Sequence, residues 1–427
     1  VSLPLISFGQ QLNLDNSLTI SSGSDGFGRP RIALTDNGPI IIWRKDSTPK
    51  TIRASKWNGT GFSNPYNITL SGVLPDSWDG PELATKGDTV YVVFTSTATT
   101  QSSIMLIRSF DGGNTFSDTI RVSENNPSHK FRMGNVKIDQ NGHPIVSYMQ
   151  YLLNWTEPKQ MVNWSITYGD SFIGSAEGSF SAPGEPCDCC KSSLILDNSD
   201  IYLLFRNNIN NERNSYISKS TDGGQTFNLV ADLDDYDWNV NGCPATGPLG
   251  VVNGDSLLIV RRSGGTGNNE IVYTNSNKLD LNYSYNRNID PIAGKIQDYP
   301  DLTLNGDTIF IAWQDNRNNI PDCFFSYSTN GTENLSLGNT FTDSLVFGAK
   351  LNPDLVFKNK NIHLVYNDNG SVLYEFIFIL SLNMTFRSVA LRRRRVIPGH
   401  LWASLHSGGL TQMHSAKTLG FKKTVIL

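Results

Sequence analysis

Seven strand-like runs recur along this chain at a nearly constant step, and that spacing limits the possible folds more than any single motif. PIIIW ends at Trp43, VYVVF at Phe94, PIVSY at Tyr148, IYLLF at Phe205, LLIVR at Arg261, IFIAW at Trp313 and IHLVY at Tyr366, so consecutive ends lie 51 to 57 residues apart. Thirteen residues before each end stand Pro30, Pro81, Asn135, Ser192, Pro248, Pro300 and Pro353. Between the two marks lie segments such as RIALTDNGPIIIW, ELATKGDTVYVVF and DLTLNGDTIFIAW. Each reads as strand, Gly-containing turn, strand, which is hairpin chemistry. A unit of about 50 residues with four strands, built from hairpins and repeated six or seven times, is read as a β-propeller. The expected fold is all-β, a β-propeller of six or seven four-stranded blades, with seven repeats counted.

A second motif is phased with the ladder. Ser-x-Asp-Gly-Gly-x-Thr-Phe occurs at 109–116 and again at 220–227. In such a turn the Asp111 and Asp222 carboxylates can accept backbone N–H bonds, and Gly113 and Gly224 tolerate positive φ. The aromatic can pack back between blades. The motif is read as structural. YSTNGT at 327–332 and KWNGTGF at 56–62 are weaker copies.

The propeller is expected over residues 25–380. Residues 1–24 include LPLISFGQQLNL, a run that can close the ring by adding a strand to the seventh repeat. Residues 381–427 fit no repeat, and no acidic residue follows Glu375, whereas Arg387, Arg392 to Arg395, Lys417, Lys422 and Lys423 are basic. A partner-binding arm, a poorly ordered extension and non-native sequence from a shifted reading frame all fit that tail.

A net charge of −4 with 17% charged residues carries no nucleic-acid signature. No apolar run reaches the roughly 18 to 20 residues of a membrane helix. Gly-rich phosphate loops, His-Glu-x-x-His and Gly-x-Ser-x-Gly are absent from the sequence. No cofactor and no metal are expected, and a monomer is.

The Asp-Gly-Gly turns resemble the Asp-box, or BNR, repeats of the sialidase superfamily, of bacterial secreted type, over about residues 25 to 375. That resemblance implies a glycan partner with an acidic terminal sugar and a sialidase-like exo-glycosidase. QDYPDLTLNGDTIFIAW at 297–313 is similar to the segment that carries the family's nucleophilic tyrosine, which falls on Tyr299. A neutral phenol can approach a carboxylate-bearing sugar that would repel a carboxylate nucleophile. Bidentate guanidinium groups suit the substrate carboxylate. The resemblance nominates Arg31 in GRPRIALTDNG, with Arg29 beside it, and Arg206 in LLFRNNINNER; Arg132 is a positional candidate. The family's glutamate falls on Cys190, with Glu185 five residues earlier, and Asp46 and Asp79 are the candidates for acid/base aspartate. A non-catalytic glycan- or protein-binding propeller is the alternative. So is a polysaccharide lyase on a seven-bladed frame, in which a Tyr or His abstracts a proton beside a uronate.

Of five cysteines, Cys187, Cys189 and Cys190 cluster in PCDCC, and Cys187 and Cys243 each lie eighteen residues before a run end. Equivalent positions on neighbouring blades make a disulfide from Cys243 to the cluster feasible, which suits a secreted, periplasmic or cell-surface setting. A thiolate metal site and free thiols are the other readings of the same cysteines.

Overall fold

The computed structural model describes residues 11–14, 17–23, 28–69, 72–73, 80–96, 101–328, 335, 339–340, 349–358 and 361–380. The chain divides into two compact units, Leu14–Ile377 and a second made of Val1–Asn13 with Phe378–Leu427. Asp79, the tail beyond residue 380 and most of the LPLISFGQQLNL run lie outside the described residues, as does the end of the YSTNGT copy.

Within Leu14–Ile377 the strands form seven antiparallel sheets, the blades of a β-propeller, and no helix occurs among the described residues. Blade 1 runs from Arg31 to Asn67, blade 2 from Glu82 to Arg121, blade 3 from His129 to Glu177 and blade 4 from Glu185 to Asp232. Blade 5 runs from Leu249 to Asn288, blade 6 from Gln297 to Thr340, and blade 7 begins at Lys350. The N-terminal strand Leu18–Ser21 pairs antiparallel with Ser371–Leu380, with Leu18 opposite Tyr374, and so belongs to blade 7.

The seven runs of the ladder are the second strands of the blades. They are mostly apolar because successive side chains point to opposite faces of the sheet and each face meets another blade. Ile40 and Ile42 pack with Val90, Val92 and Phe94 of blade 2. Ile41 and Trp43 turn the other way, against Val365, Val372 and Tyr374 of blade 7. Blade 1 therefore touches blade 2 on one side and blade 7 on the other, which closes the ring. Ile40, Ile41, Ile42 and Trp43 are fully buried, and each such side chain contributes about 1.5–3 kcal/mol. A charge on a second strand is kept only where it finds partners, as Arg206 does on the carbonyls of Thr246 and Arg262 and Arg261 does on Asp234.

The two Asp-Gly-Gly turns link third and fourth strands in blades 2 and 4, and they share one hydrogen-bond pattern. Thr115 N and Oγ1 donate to Asp111 at 2.9 and 2.7 Å, Ser109 Oγ donates at 2.7 Å, and Gly113 N donates to Ser109 Oγ at 2.9 Å. Asp222 receives the same bonds from Thr226 and Ser220. Gly113 has φ +85°, and a Cβ there would lie 2.5 Å from Ile40 Cδ1. Left-handed backbone and lack of room both demand glycine. Gly224 has φ +94°, and a Cβ there would lie 3.1 Å from Ile201 Cδ1, a looser contact; Phe227 is buried between blades 3 and 4.

Candidate functional site: the mouth of the axial cavity

The first strands of all seven blades line one axial cavity of about 840 Å³. Its wall is set by the proline column. The residues before Pro30, Pro300 and Pro353 are Arg29, Tyr299 and Asn352, and they hold left-handed φ of +47°, +47° and +54°. In blades 6 and 7 the ladder also slips at this point, between Asp298 and Asp301 and between Leu351 and Asp354. A bulge of this kind re-aims a side chain, and left-handed backbone at a non-glycine residue is strained. Here all three residues line the cavity.

Arg29 lies with its guanidinium carbon 4.7 Å from the centre of the Tyr299 ring. Arg29 is buried, with 5% of its surface exposed. A Cβ on Gly80 would fall 2.6 Å from Arg29 Cβ, so Gly80 makes room for the arginine. Burial raises the Tyr299 phenol above its ordinary value, and the Arg29 charge opposes that rise. Behind the ring, Asp298 is fixed by Arg262 Nη1 at 2.6 Å and by the Thr246 hydroxyl. Its Oδ1 accepts the Tyr299 N–H at 2.9 Å. Among the described residues no carboxylate oxygen lies within hydrogen-bond distance of the Tyr299 hydroxyl.

One step further in, the residues after four of the prolines form a cross-blade charge network. Arg31 Nε meets Glu82 at 2.9 Å and Arg31 Nη1 meets Asp354 at 3.7 Å. Lys191 Nζ reaches Glu82 at 3.0 Å and the Gly80 carbonyl at 2.8 Å. Asp354 accepts Ile32 N–H at 2.7 Å, and Asp301 accepts Leu355 N–H at 2.8 Å. Burial pushes the Glu82 carboxyl up, yet the Arg31 and Lys191 charges outweigh it and hold the group at about 2. For Asp301 the Arg31 and Lys137 charges and the N–H bonds from Leu355 and Leu302 offset only part of the burial penalty, which raises it to about 6.

Of the sequence candidates, Tyr299, Arg29 and Arg31 share this cavity, and Arg31 is already neutralised by two carboxylates. The other described candidates lie off its wall. Arg206 is fully buried on a second strand. Its guanidinium donates to the carbonyls of Thr246 at 3.2 Å, Arg262 at 2.7 Å and Arg213, above the Trp238 ring. Arg206 thus braces blade 4 against blade 5 and is not presented to a ligand. Arg132 packs against Trp155, Asp46 pairs with Arg44 at 2.5 Å, and Glu185 is exposed on a short strand opposite Asn208. Glu82, Asp301 and Asp354 were not nominated, and their signal was the charged residue directly after a column proline; Lys191 stands directly before Ser192 of the column.

The expected disulfide is present, between Cys189 and Cys243, and ties blade 4 to the loop before blade 5. Cys187 and Cys190 are free and buried. The sulfurs of Cys187, Cys189 and Cys190 lie within 4.8 Å of one another.

No protein-family model matches the chain, and no curated protein does. Solved structures do. The Hadza microbial sialidase Hz136 aligns over 85% of this chain and 68% of its own, with 12% identity and a TM-score of 0.50. A protein of unknown function from Dyadobacter fermentans DSM 18053 aligns over 87% of this chain and 100% of its own, with 12% identity and a TM-score of 0.51. At such identity the likeness is one of fold alone: the chain is a β-propeller whose fold is shared by a sialidase and by a protein of unknown function.

Proposed function

We propose that this propeller recognises the acidic terminal sugar of an extracellular glycan at the mouth of its axial cavity and does so without cleaving it. The observation that carries the reading is the Arg29–Tyr299 pair. It sets a guanidinium against an aromatic face at the cavity wall, with Lys191 also lining it. A cation supplies the partner for a sugar carboxylate, and an aromatic ring supplies an apolar face for the sugar ring. The reading stops short of hydrolysis because a tyrosine nucleophile needs a base to take its proton. Among the described residues nothing acidic bonds to the phenol, and burial holds its proton more tightly. The disulfide fits a secreted or periplasmic setting, where such bonds persist.

A second reading, a retaining exo-glycosidase with Tyr299 as nucleophile, is favoured by one feature. The strained bulge of blade 6 brings Tyr299 into the cavity wall, and bulges of this kind are over-represented beside active sites. The two readings separate in one experiment on the full chain. Binding of sialyllactose is measured by calorimetry, and release from an aryl sialoside is followed in parallel. Recognition without turnover predicts measurable binding that Tyr299→Ala weakens by roughly tenfold, about 1.4 kcal/mol, the scale of a lost aromatic contact, and no release. Release abolished by Tyr299→Phe would establish the second reading. Neither binding nor release would end both.

A further inference from the structure

We propose that Cys187, Cys189, Cys190 and Cys243 form a four-sulfur relay, in which the bond between Cys189 and Cys243 can pass to Cys187 and Cys190 by thiol–disulfide exchange within the chain. The inference is independent of the glycan reading. It starts from the local chain path. The short strand Glu185–Pro186 pairs with Asn208 and Asn207, and Cys187 N donates to the Arg206 carbonyl at 2.9 Å. The chain then turns, with Cys190 N donating back to the Cys187 carbonyl at 3.3 Å. That turn brings the first and fourth residues of Cys-Asp-Cys-Cys together, and their sulfurs are 2.9 Å apart. Cys189 Sγ, half of the existing disulfide, lies 3.6 Å from Cys187 Sγ.

Exchange needs a thiolate in reach of a disulfide sulfur. Arg213 Nη1 donates to Cys187 Sγ at 3.2 Å, and Arg206, also fully buried, adds a second positive charge nearby. The Cys190 thiol hydrogen-bonds to Cys187, and although burial opposes the shift, the Cys187 thiol comes down to about 7. Burial pushes the Cys190 thiol up, so the pair divides into an attacker and a proton-bearing partner. Cys187 and Cys190 are fully buried and Cys243 is exposed. An outside protein disulfide therefore cannot reach the inner pair, whereas Cys189 can.

The steps balance without an external oxidant. The Cys187 thiolate attacks Cys189 Sγ, the Cys189–Cys243 bond breaks, and Cys243 leaves as thiolate and takes up a proton. Cys190, losing its proton, then attacks Cys187 Sγ. Cys189 leaves as thiolate and is protonated. One disulfide and two thiols remain throughout, and two protons move from the inner pair to the outer one. The consequence falls on the cavity mouth. Three residues after Cys243 comes Thr246, which bonds to Asp298 and lines the cavity. Once the bond has passed inward, the loop carrying Thr246 is no longer covalently tied to blade 4.

The test uses the full chain equilibrated with mixtures of reduced and oxidised glutathione, quenched in acid, alkylated and mapped by mass spectrometry after digestion at low pH. The relay predicts that at some ratio at least roughly one molecule in ten carries the Cys187–Cys190 bond with Cys189 and Cys243 alkylated, a gap of about 1.4 kcal/mol between the two pairings. Cys187→Ser should leave Cys189–Cys243 as the one pairing found. Full alkylation of Cys187 and Cys190 at every ratio would overturn the proposal. So would stoichiometric zinc retained on all three clustered cysteines after dialysis. If the serine variant fails to fold, the map of the unmodified chain decides alone.

Discussion

Asp111 and Asp222 sit in the turns between third and fourth strands, whereas Glu82, Asp301 and Asp354 stand on first strands around the axis. All five are carboxylates with firm partners, but the partners differ in kind. In each turn the bonds come from residues within four positions along the chain. These local donors overcome the cost of burial and hold both groups at about 2. At the axis partners also come from other blades, 51 residues away for Arg31 and Glu82 and 54 for Asp301 and Leu355, although Asp301 accepts the neighbouring Leu302 N–H as well. There the balance varies from group to group. Glu82 has two cations and is held low, while Asp301 has too little opposing charge and is raised. Carboxylates on the rim thus secure one turn each, and carboxylates on the axis hold blades together.

The largest effect that would break this contrast is expected at Glu82. Glu82→Ala leaves Arg31 with Asp354 alone and takes the carboxylate from Lys191. Removing one partner of a buried ion pair costs about 3–5 kcal/mol, read as a fall in the urea midpoint. The same carboxylate sets an acid limb. Its folded value of about 2 lies below the ordinary 4.5, so the native state binds fewer protons between those values. The stability it confers is complete above pH 4.5 and is lost as pH falls toward 2. Glu82→Gln should flatten that limb.

This local-against-distant division also explains what could be read from the sequence. The blades were legible because each hairpin announces itself within a dozen residues, as in DLTLNGDTIFIAW, and because the period repeats seven times. The cavity wall was half legible. Counting from the proline column reached Arg29 and Tyr299, since register along a first strand is a local matter, and the resemblance nominated Arg31. Neither could show that Arg31 is taken up by Glu82 and Asp354, which depends on which blade stands next to which. Arg206 misled for a related reason. It follows Phe205 on a second strand, and its donors are used on carbonyls of the neighbouring blade and loop. Cys189–Cys243 was narrowed to a cluster by equivalent positions, but the choice of partner within PCDCC is set by the turn at Cys187–Cys190.

A smaller effect is expected in the turns. Asp111→Ala removes acceptors for Thr115 and Ser109, and bonds to a charged acceptor support a cost of about 1–2 kcal/mol. Asp222→Ala should cost a similar amount. The turns lie in different blades and share no partner, so the double variant should equal the sum of the singles within about 0.5 kcal/mol. A shortfall well beyond that margin in chemical denaturation would mean that the turns communicate, and the picture of self-contained rim stitches would fail.

The smallest effect is a change of slope, and it tests the axial side directly. Asp301 has a folded value of about 6, above its ordinary 3.8, because burial penalises its charged form more than Arg31 and the Leu355 and Leu302 N–H groups reward it. Between those two values the native state binds more protons than the unfolded chain, so this group makes stability fall as pH rises from about 4 to 6. Asp301→Asn keeps a carbonyl oxygen for one of the two N–H donors and stays neutral throughout. Relative to the unmodified chain it should therefore gain stability across that window and level off above it, as read from urea midpoints at closely spaced pH values. If the variant instead loses ground as pH rises, the Asp301 charge is welcome at the axis. Burial would then not be the dominant influence there, and the contrast with the rim would reduce to a difference in donor number.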